Sequence, residues 1–178
     1  YNAVAKSLHW LIAFMIIVQI PAGLFMVSTD WNTFLLYQLH KSFGLIVLAL
    51  SLFRLYWRLT HKAPPVPETM AGWEKAAAKF THVAFYGLII GIPLTGWLLV
   101  SASPIGIDTK IFFVIPVPHF PVPVGKEAQA FWSLSHEVLA KGAIALIVLH
   151  VGAALNHHIR LKDDVLRRML PGFLGGIR

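Results

Sequence analysis

The chain has 178 residues, of which 57% are hydrophobic and only 13% charged, with a formal net charge of +7 and a mean hydropathy of +0.68. A water-soluble domain of this length rarely carries so little charge. Cysteine is absent, which excludes disulfides, iron–sulfur clusters and thiolate ligation of a metal.

Four apolar stretches cover residues 8–27, 36–59, 80–100 and 132–159. Each can cross a hydrocarbon layer of about 30 Å, which takes roughly 20 helical residues. They predict an all-α, integral membrane four-helix bundle that forms one domain over residues 1–178. If the spans alternate, Lys6, Arg54, Arg58, Lys62, Lys75, Lys79, Arg160, Lys162, Arg167, Arg168 and Arg178 fall on one side. Lys41, Lys110, Lys126 and Lys141 fall on the other. The positive-inside tendency then places both termini and the second connection in the cytoplasm. Because the cations flank spans and form no separate patch, the net charge reads as topology and contact with anionic lipid, and no nucleic-acid partner is expected. The first stretch has one lysine before it, as a cleavable signal would, but His9 and the lack of a small-residue cleavage pattern argue against one.

In chain order, residues 1–8 read as an interfacial lead, with Trp10 in the aromatic belt. His9 stands just inside the first span, Gly23 follows it by fourteen residues, and Pro21 is placed to bend the helix. After a turn over 28–33, the second span carries His40, with Gly44 one turn on leaving space beside it for a flat ligand. Arg54 comes fourteen residues after His40, whereas Arg58 fits a snorkelling role. Residues 61–74, with Pro64, Pro65 and Pro67, cannot continue a helix; His61 there reads as solvated. His82 opens the third span, and Gly96 follows fourteen residues later. The connection over 101–130 holds five prolines and an apolar set, Phe112, Phe113, Ile115 and Phe120, suited to lie over the bundle mouth. His119 within it reads as a surface residue. The fourth span strings His136, His150 and His157 along one apolar helix. Residues 160–168, with Asp163 and Asp164, read as an amphipathic segment on anionic lipid.

A gap of 14 residues returns to within about 40° of the same helix face and climbs roughly 21 Å. The stripes therefore define two levels. The outer level holds His40 and His136 facing Gly23 and Gly96, and the inner level holds His9, His82 and His150 with Arg54. Two imidazoles and two glycines suit a haem held from both sides. Three imidazoles leave one more than an inner haem needs, and spacing gives His9 and His82 equal claims. Arg54 is a candidate partner for a haem propionate.

Ser7-Leu8-His9-Trp10, Leu39-His40-Lys41-Ser42-Phe43-Gly44, Ser135-His136-Glu137 and Leu149-His150 with Asn156-His157-His158 together resemble the bacterial cytochrome b561 family, over essentially the whole chain. The branch of likeness is the superoxide oxidase type. That resemblance implies a multi-pass protein of the bacterial inner membrane with two b-type haems, His9 and His150 holding the inner iron and His40 and His136 the outer. It makes His82, an alternative ligand by spacing alone, a pocket or quinone-side residue, and sets His157 near a bound quinone. The implied reaction oxidises superoxide and reduces ubiquinone, with Lys41, Lys126 and Lys141 as candidates to draw the anion in. Two other readings remain open at this point: an anchor subunit serving a separate dehydrogenase or hydrogenase as redox partner protein, and a non-redox transporter whose histidines bind metal or relay protons.

Overall fold

The computed structural model describes residues 1–29, 33–62, 64–65 and 70–170. Pro67, Arg178 and the middle of the predicted 28–33 turn lie outside the described residues. Four long helices carry the apolar stretches: α1 (Ala3–Ser28), α2 (Phe34–Thr60), α3 (Gly72–Ser101) and α4 (Lys126–Asn156). A single π-helical turn over His157–Leu161 prolongs α4. All four are long and apolar enough to cross a membrane, in keeping with a multi-pass bundle.

The helices overrun the apolar stretches because polar groups begin them. Asn2 Oδ1 accepts from the Ala5 N–H at 2.9 Å, so most of the predicted interfacial lead is already helix. At α3 the Ala71 N–H donates to Glu74 Oε2 at 2.8 Å, which satisfies one of the donors a helix start leaves orphaned. That helix begins eight residues before its apolar run. Glu127 in the first turn of α4 suits the positive end of a helix dipole, and the predicted 101–130 connection ends at Gly125 instead. Pro21 and Pro93 sit inside α1 and α3 without ending them.

Consecutive helices pack closely, α1 on α2, α2 on α3 and α3 on α4. Burial runs opposite to a soluble protein. Phe14, Ile17, Phe80, Val148 and Leu149 are exposed, while the largest fully enclosed side chains are Ser42 and Ser51. Lipid rewards an apolar exterior; inside, Ser42 Oγ donates to the Gln38 carbonyl at 2.7 Å, whereas Ser51 Oγ is enclosed without a partner.

The long connection adds what an all-helical reading did not contain. Strand β1 (Thr109–Ile111) pairs antiparallel with β2 (Ile115–Val117), Lys110 opposite Pro116, and Phe112 and Phe113 turn between them at φ 46° and 65°. Two serines fasten this hairpin to the helices. The Phe112 N–H donates to Ser42 Oγ at 2.9 Å, and the Phe120 N–H donates to Ser101 Oγ at 3.0 Å. Trp97 adds a bond from its indole N–H to the Pro118 carbonyl at 3.0 Å. The hairpin thus covers one end of the bundle.

The opposite end, the termini end, holds the start of α1 and the last described residues, and here the reading of residues 160–168 as a segment lying on lipid meets a different packing. Residues 163–170 fold back onto the bundle: Lys6 Nζ donates to the Leu170 carbonyl at 3.0 Å and Trp10 Nε1 to the Met169 carbonyl at 2.8 Å. Arg168 donates to the Pro65 carbonyl at 2.5 Å and pairs with Asp164 at 2.7 Å. A tail without helix after Leu161 has carbonyls to satisfy, and α1 and the second connection supply donors and acceptors. Trp10 is therefore a fastening as well as an interfacial aromatic.

Candidate functional site

At the hairpin end, His40 of α2 and His136 of α4 face one another, ring centres 6.4 Å apart and planes at 78°. Glycine makes that approach possible. A Cβ added at Gly23 would stand 3.3 Å from His40 Cε1, and one at Gly96 would stand 3.1 Å from His136 Cε1. His136 Nδ1 lies 2.9 Å from the Ile92 carbonyl, which can only accept, so the proton belongs on Nδ1 and Nε2 keeps its lone pair. That is the orientation a metal-binding imidazole needs. Gln19 of α1 donates to the His40 carbonyl at 2.8 Å, while His40 Nδ1 is buried without a partner.

At the termini end the same spacing recurs. His9 of α1 and His150 of α4 have ring centres 6.4 Å apart and planes at 68°. His82 of α3 is close enough to act electrostatically on both, yet the facing pair is His9 with His150. Phe85 packs its edge on His150 at 5.2 Å. Arg54 donates to the Ala5 carbonyl at 2.9 Å and reaches His9 Nδ1 at a marginal 3.5 Å.

Both pairs fit a metal held between two imidazoles. With metal–nitrogen bonds of about 2.0–2.1 Å and about 1.1 Å from each nitrogen to its ring centre, opposed ligands stand about 6 Å apart centre to centre. The pairs also bridge α1 to α4 and α2 to α4, which are not among the closely packed helix pairs, so a flat group has width to enter. Among the described residues no cluster of three or more histidines and carboxylates converges on one point; the histidines meet in twos.

Other expected positions fall less neatly. A Cβ at Gly44 would meet Gln19 Nε2 at 3.8 Å, so this glycine makes room for a helix contact and not for a ligand beside His40. Lys41 donates to the Asp108 carbonyl at 3.2 Å, which brings it under the hairpin. Lys126 is exposed at the first residue of α4. Lys141 pairs with Glu137 at 2.6 Å on an exposed face, and five residues at 100° turn it about 140° from His136. The structure does not bring Lys126 or Lys141 to the outer pair. His119 is half-buried and bonded to Thr109 at 3.1 Å, and His61 stacks on Trp57 with centres 3.7 Å apart.

His157 is buried and closes on Asp163, Nδ1 to Oδ2, at 2.5 Å. The neighbouring His158 is half-buried, and its Nδ1 is enclosed without a partner. Burial works to raise the Asp163 pKa, but the hydrogen bonds from His157 and the Val165 N–H and the charge of Arg168 hold it below the usual carboxylate value. Asp163 was missed as a site residue because it lies beyond the helix, where no periodicity relates it to His157. The only sequence signal was an acidic residue among basic ones.

The family model described as prokaryotic cytochrome b561 matches residues 1–172. Cytochrome b561 homolog 2 of Escherichia coli (strain K12) is 30% identical over 173 residues, 96% of this chain and 90% of that protein. Cytochrome b561 homolog 1 of the same organism is 30% identical over 170 residues, 92% and 93% of the two chains. The probable superoxide oxidase CybB of Yersinia pestis is 26% identical over 189 residues, 96% of each chain.

Proposed function

The chain belongs to the prokaryotic cytochrome b561 family of membrane electron carriers, and on that footing we propose that it passes electrons from superoxide outside the membrane to ubiquinone inside it. The family implies b-type haem. Two such groups, one per histidine pair, are the reading carried by the two 6.4 Å imidazole pairs. Haem, when bound, supplies one-electron chemistry that no side chain here offers.

The chain's own residues do the rest. His40 and His136 would hold the outer iron and His9 and His150 the inner, all within one domain, and haem so held would supply electron passage in preference to oxygen binding. The Ile92 carbonyl orients His136, while Gly23 and Gly96 let the rings sit where larger residues would push them. Arg54 serves the inner site. An imidazole bound through Nε2 carries its proton on Nδ1 and cannot accept from a guanidinium, so Arg54 is left to hold a carboxylate such as a propionate. His82 then lines the inner pocket.

Orientation follows the cation count: the termini end faces the cytoplasm and the hairpin end the periplasm. Lys41, under the hairpin and one residue from His40, is the lysine best placed to attract a small anion. Support for superoxide as donor is the CybB relative. Quinone reduction consumes two protons, and His157, one heptad beyond His150 at the inner end, is the exchanging group. The test is rapid mixing of the oxidised holoprotein with superoxide while both haem spectra are followed, with and without ubiquinone. Haem reduction within the mixing experiment and reoxidation by quinone support the reading, and spectra that superoxide leaves unchanged refute the donor. His157→Ala keeps both haem spectra and slows only the quinone step.

A further inference from the structure

We propose that Asp163 is a positioning residue that holds the proton of His157 on Nδ1 and so presents Nε2 as the atom that hands protons to the quinone; this deepens the quinone reading above and rests on it.

The local backbone is built around the contact. After α4 the chain tightens into the π-helical turn His157–Leu161, and such turns recur at functional sites. Lys162 then enters the left-handed region at φ 53°, which a residue with a side chain adopts only at a cost. The Asp163 N–H returns to the His157 carbonyl at 3.2 Å. This reversal carries the Asp163 side chain back over the imidazole. Its Oδ1 accepts from the Val165 N–H at 3.0 Å, leaving Oδ2 for His157 Nδ1 at 2.5 Å. The two side chains are 11% and 16% exposed, so water competes little for the bond. A carboxylate accepts and does not donate, which fixes the tautomer: Nδ1 bears the hydrogen and Nε2 is the exchanging atom.

Beyond the pair, Arg168 acts on Asp163 but is itself committed to Asp164 and the Pro65 carbonyl. Lys6 of α1 is committed to Leu170. The carboxylate therefore keeps two hydrogen-bond partners, the Val165 N–H on Oδ1 and the imidazole on Oδ2. Stoichiometry is complete without a further reactant. Two superoxide ions give two molecules of oxygen and two electrons, and quinone takes those electrons with two protons to become quinol. Each proton leaves from Nε2 of a His157 protonated on both nitrogens, and solvent refills that atom before the second transfer. Asp163 remains ionised throughout.

The experiment uses full-length holoprotein with a short-chain ubiquinone, comparing Asp163→Asn, Asp163→Glu and His157→Ala. Asparagine keeps an oxygen acceptor but loses the charge. In Asp163→Asn, quinol formation at saturating quinone should fall about tenfold or more, with KM for quinone within about twofold and haem reduction by superoxide unchanged. Asp163→Glu should recover most of the loss. An unaltered rate in Asp163→Asn, or equal losses in both Asp163 variants with a raised KM, overturns the proposal while leaving the quinone site standing if His157→Ala is slow. Unaltered quinone reduction in His157→Ala removes the site and the proposal together. A measurement on the unmutated protein guards against misfolding: nitrogen NMR of histidine-labelled, fully reduced protein should show a hydrogen on Nδ1 of His157, bonded to Asp163, and a His157 whose Nδ1 carries none overturns the assignment.

Discussion

The two ends of the bundle hold their imidazole pairs at the same 6.4 Å separation but surround them differently. At the hairpin end each ring presses on a glycine, one ring is pinned by a carbonyl, and a β-hairpin is tied across the opening by serine hydroxyls. At the termini end there is a third histidine, an arginine that reaches His9 only marginally, and a tail held by side-chain bonds to main-chain carbonyls. A site that only receives electrons gains from fixed geometry, because nothing but an electron need move. A site that also takes up protons needs titratable groups and a route to water. The contrast therefore tracks the proposed division of labour.

The most severe way to test it is to remove one pair. His40→Ala or His136→Ala should lower haem content from two per chain to one, read by pyridine haemochrome assay, and leave the inner spectrum in place. A variant lacking both residues that still binds two haems would refute the outer assignment. At the other end, His9→Ala should cost the inner haem and His82→Ala should keep it, since His9 is the ring facing His150. Haem lost from the His82 variant and kept in the His9 variant reverses the choice.

A milder perturbation asks whether the glycines set the outer geometry. Alanine at Gly96 would bring a methyl to 3.1 Å of one carbon of His136, and alanine at Gly23 to 3.3 Å of His40. Ordinary overpacking costs about 1–3 kcal/mol. Gly96→Ala should therefore lower the Tm and shift the outer haem's midpoint potential more than Gly23→Ala does, with two haems retained in each. Equal and negligible effects would mean that the glycines do not constrain the rings.

The sequence carried the helices and the two histidine levels because lipid imposes length and apolarity on every span and the 3.6-residue period relates positions on one helix. His40, His136, Gly23 and Gly96 were legible for that reason. Period alone could not choose between His9 and His82, which sit on different helices; their rotations about separate axes are a matter of packing. Nor could it place Asp163 on His157, since the contact follows a π-turn and a left-handed Lys162. Counting charges likewise put Lys41, Lys126 and Lys141 on one side without giving their contacts: Lys41 bonds the Asp108 carbonyl beside the hairpin, and Glu137 one turn from Lys141 engages that cation.

The smallest expected effect separates the two coverings themselves. The hairpin is tied to α2 and α3 through neutral serine hydroxyls, which acid does not alter, whereas the tail after α4 turns on the Asp163 carboxylate. Asp163 has its pKa held below the ordinary value, which is about 3.9, by the bonds from His157 and Val165 and the charge of Arg168, which outweigh its burial. A depressed carboxylate contributes stability that is complete above the unfolded pKa and is lost as pH falls through the folded one. Between pH 5 and 8 the tail should thus stay docked, and only well into the acid range should residues 163–170 open. Hydrogen exchange read by mass spectrometry is the suitable measurement, because local opening precedes global unfolding. On acidification exchange should rise in the tail peptide while the peptide spanning 109–120 keeps its protection, after correction for the intrinsic pH dependence of exchange. Asp163→Asn should show a faster-exchanging tail already at neutral pH. Parallel loss of protection in both coverings would mean that acid unfolds the bundle as one unit and that the two ends do not differ in this respect.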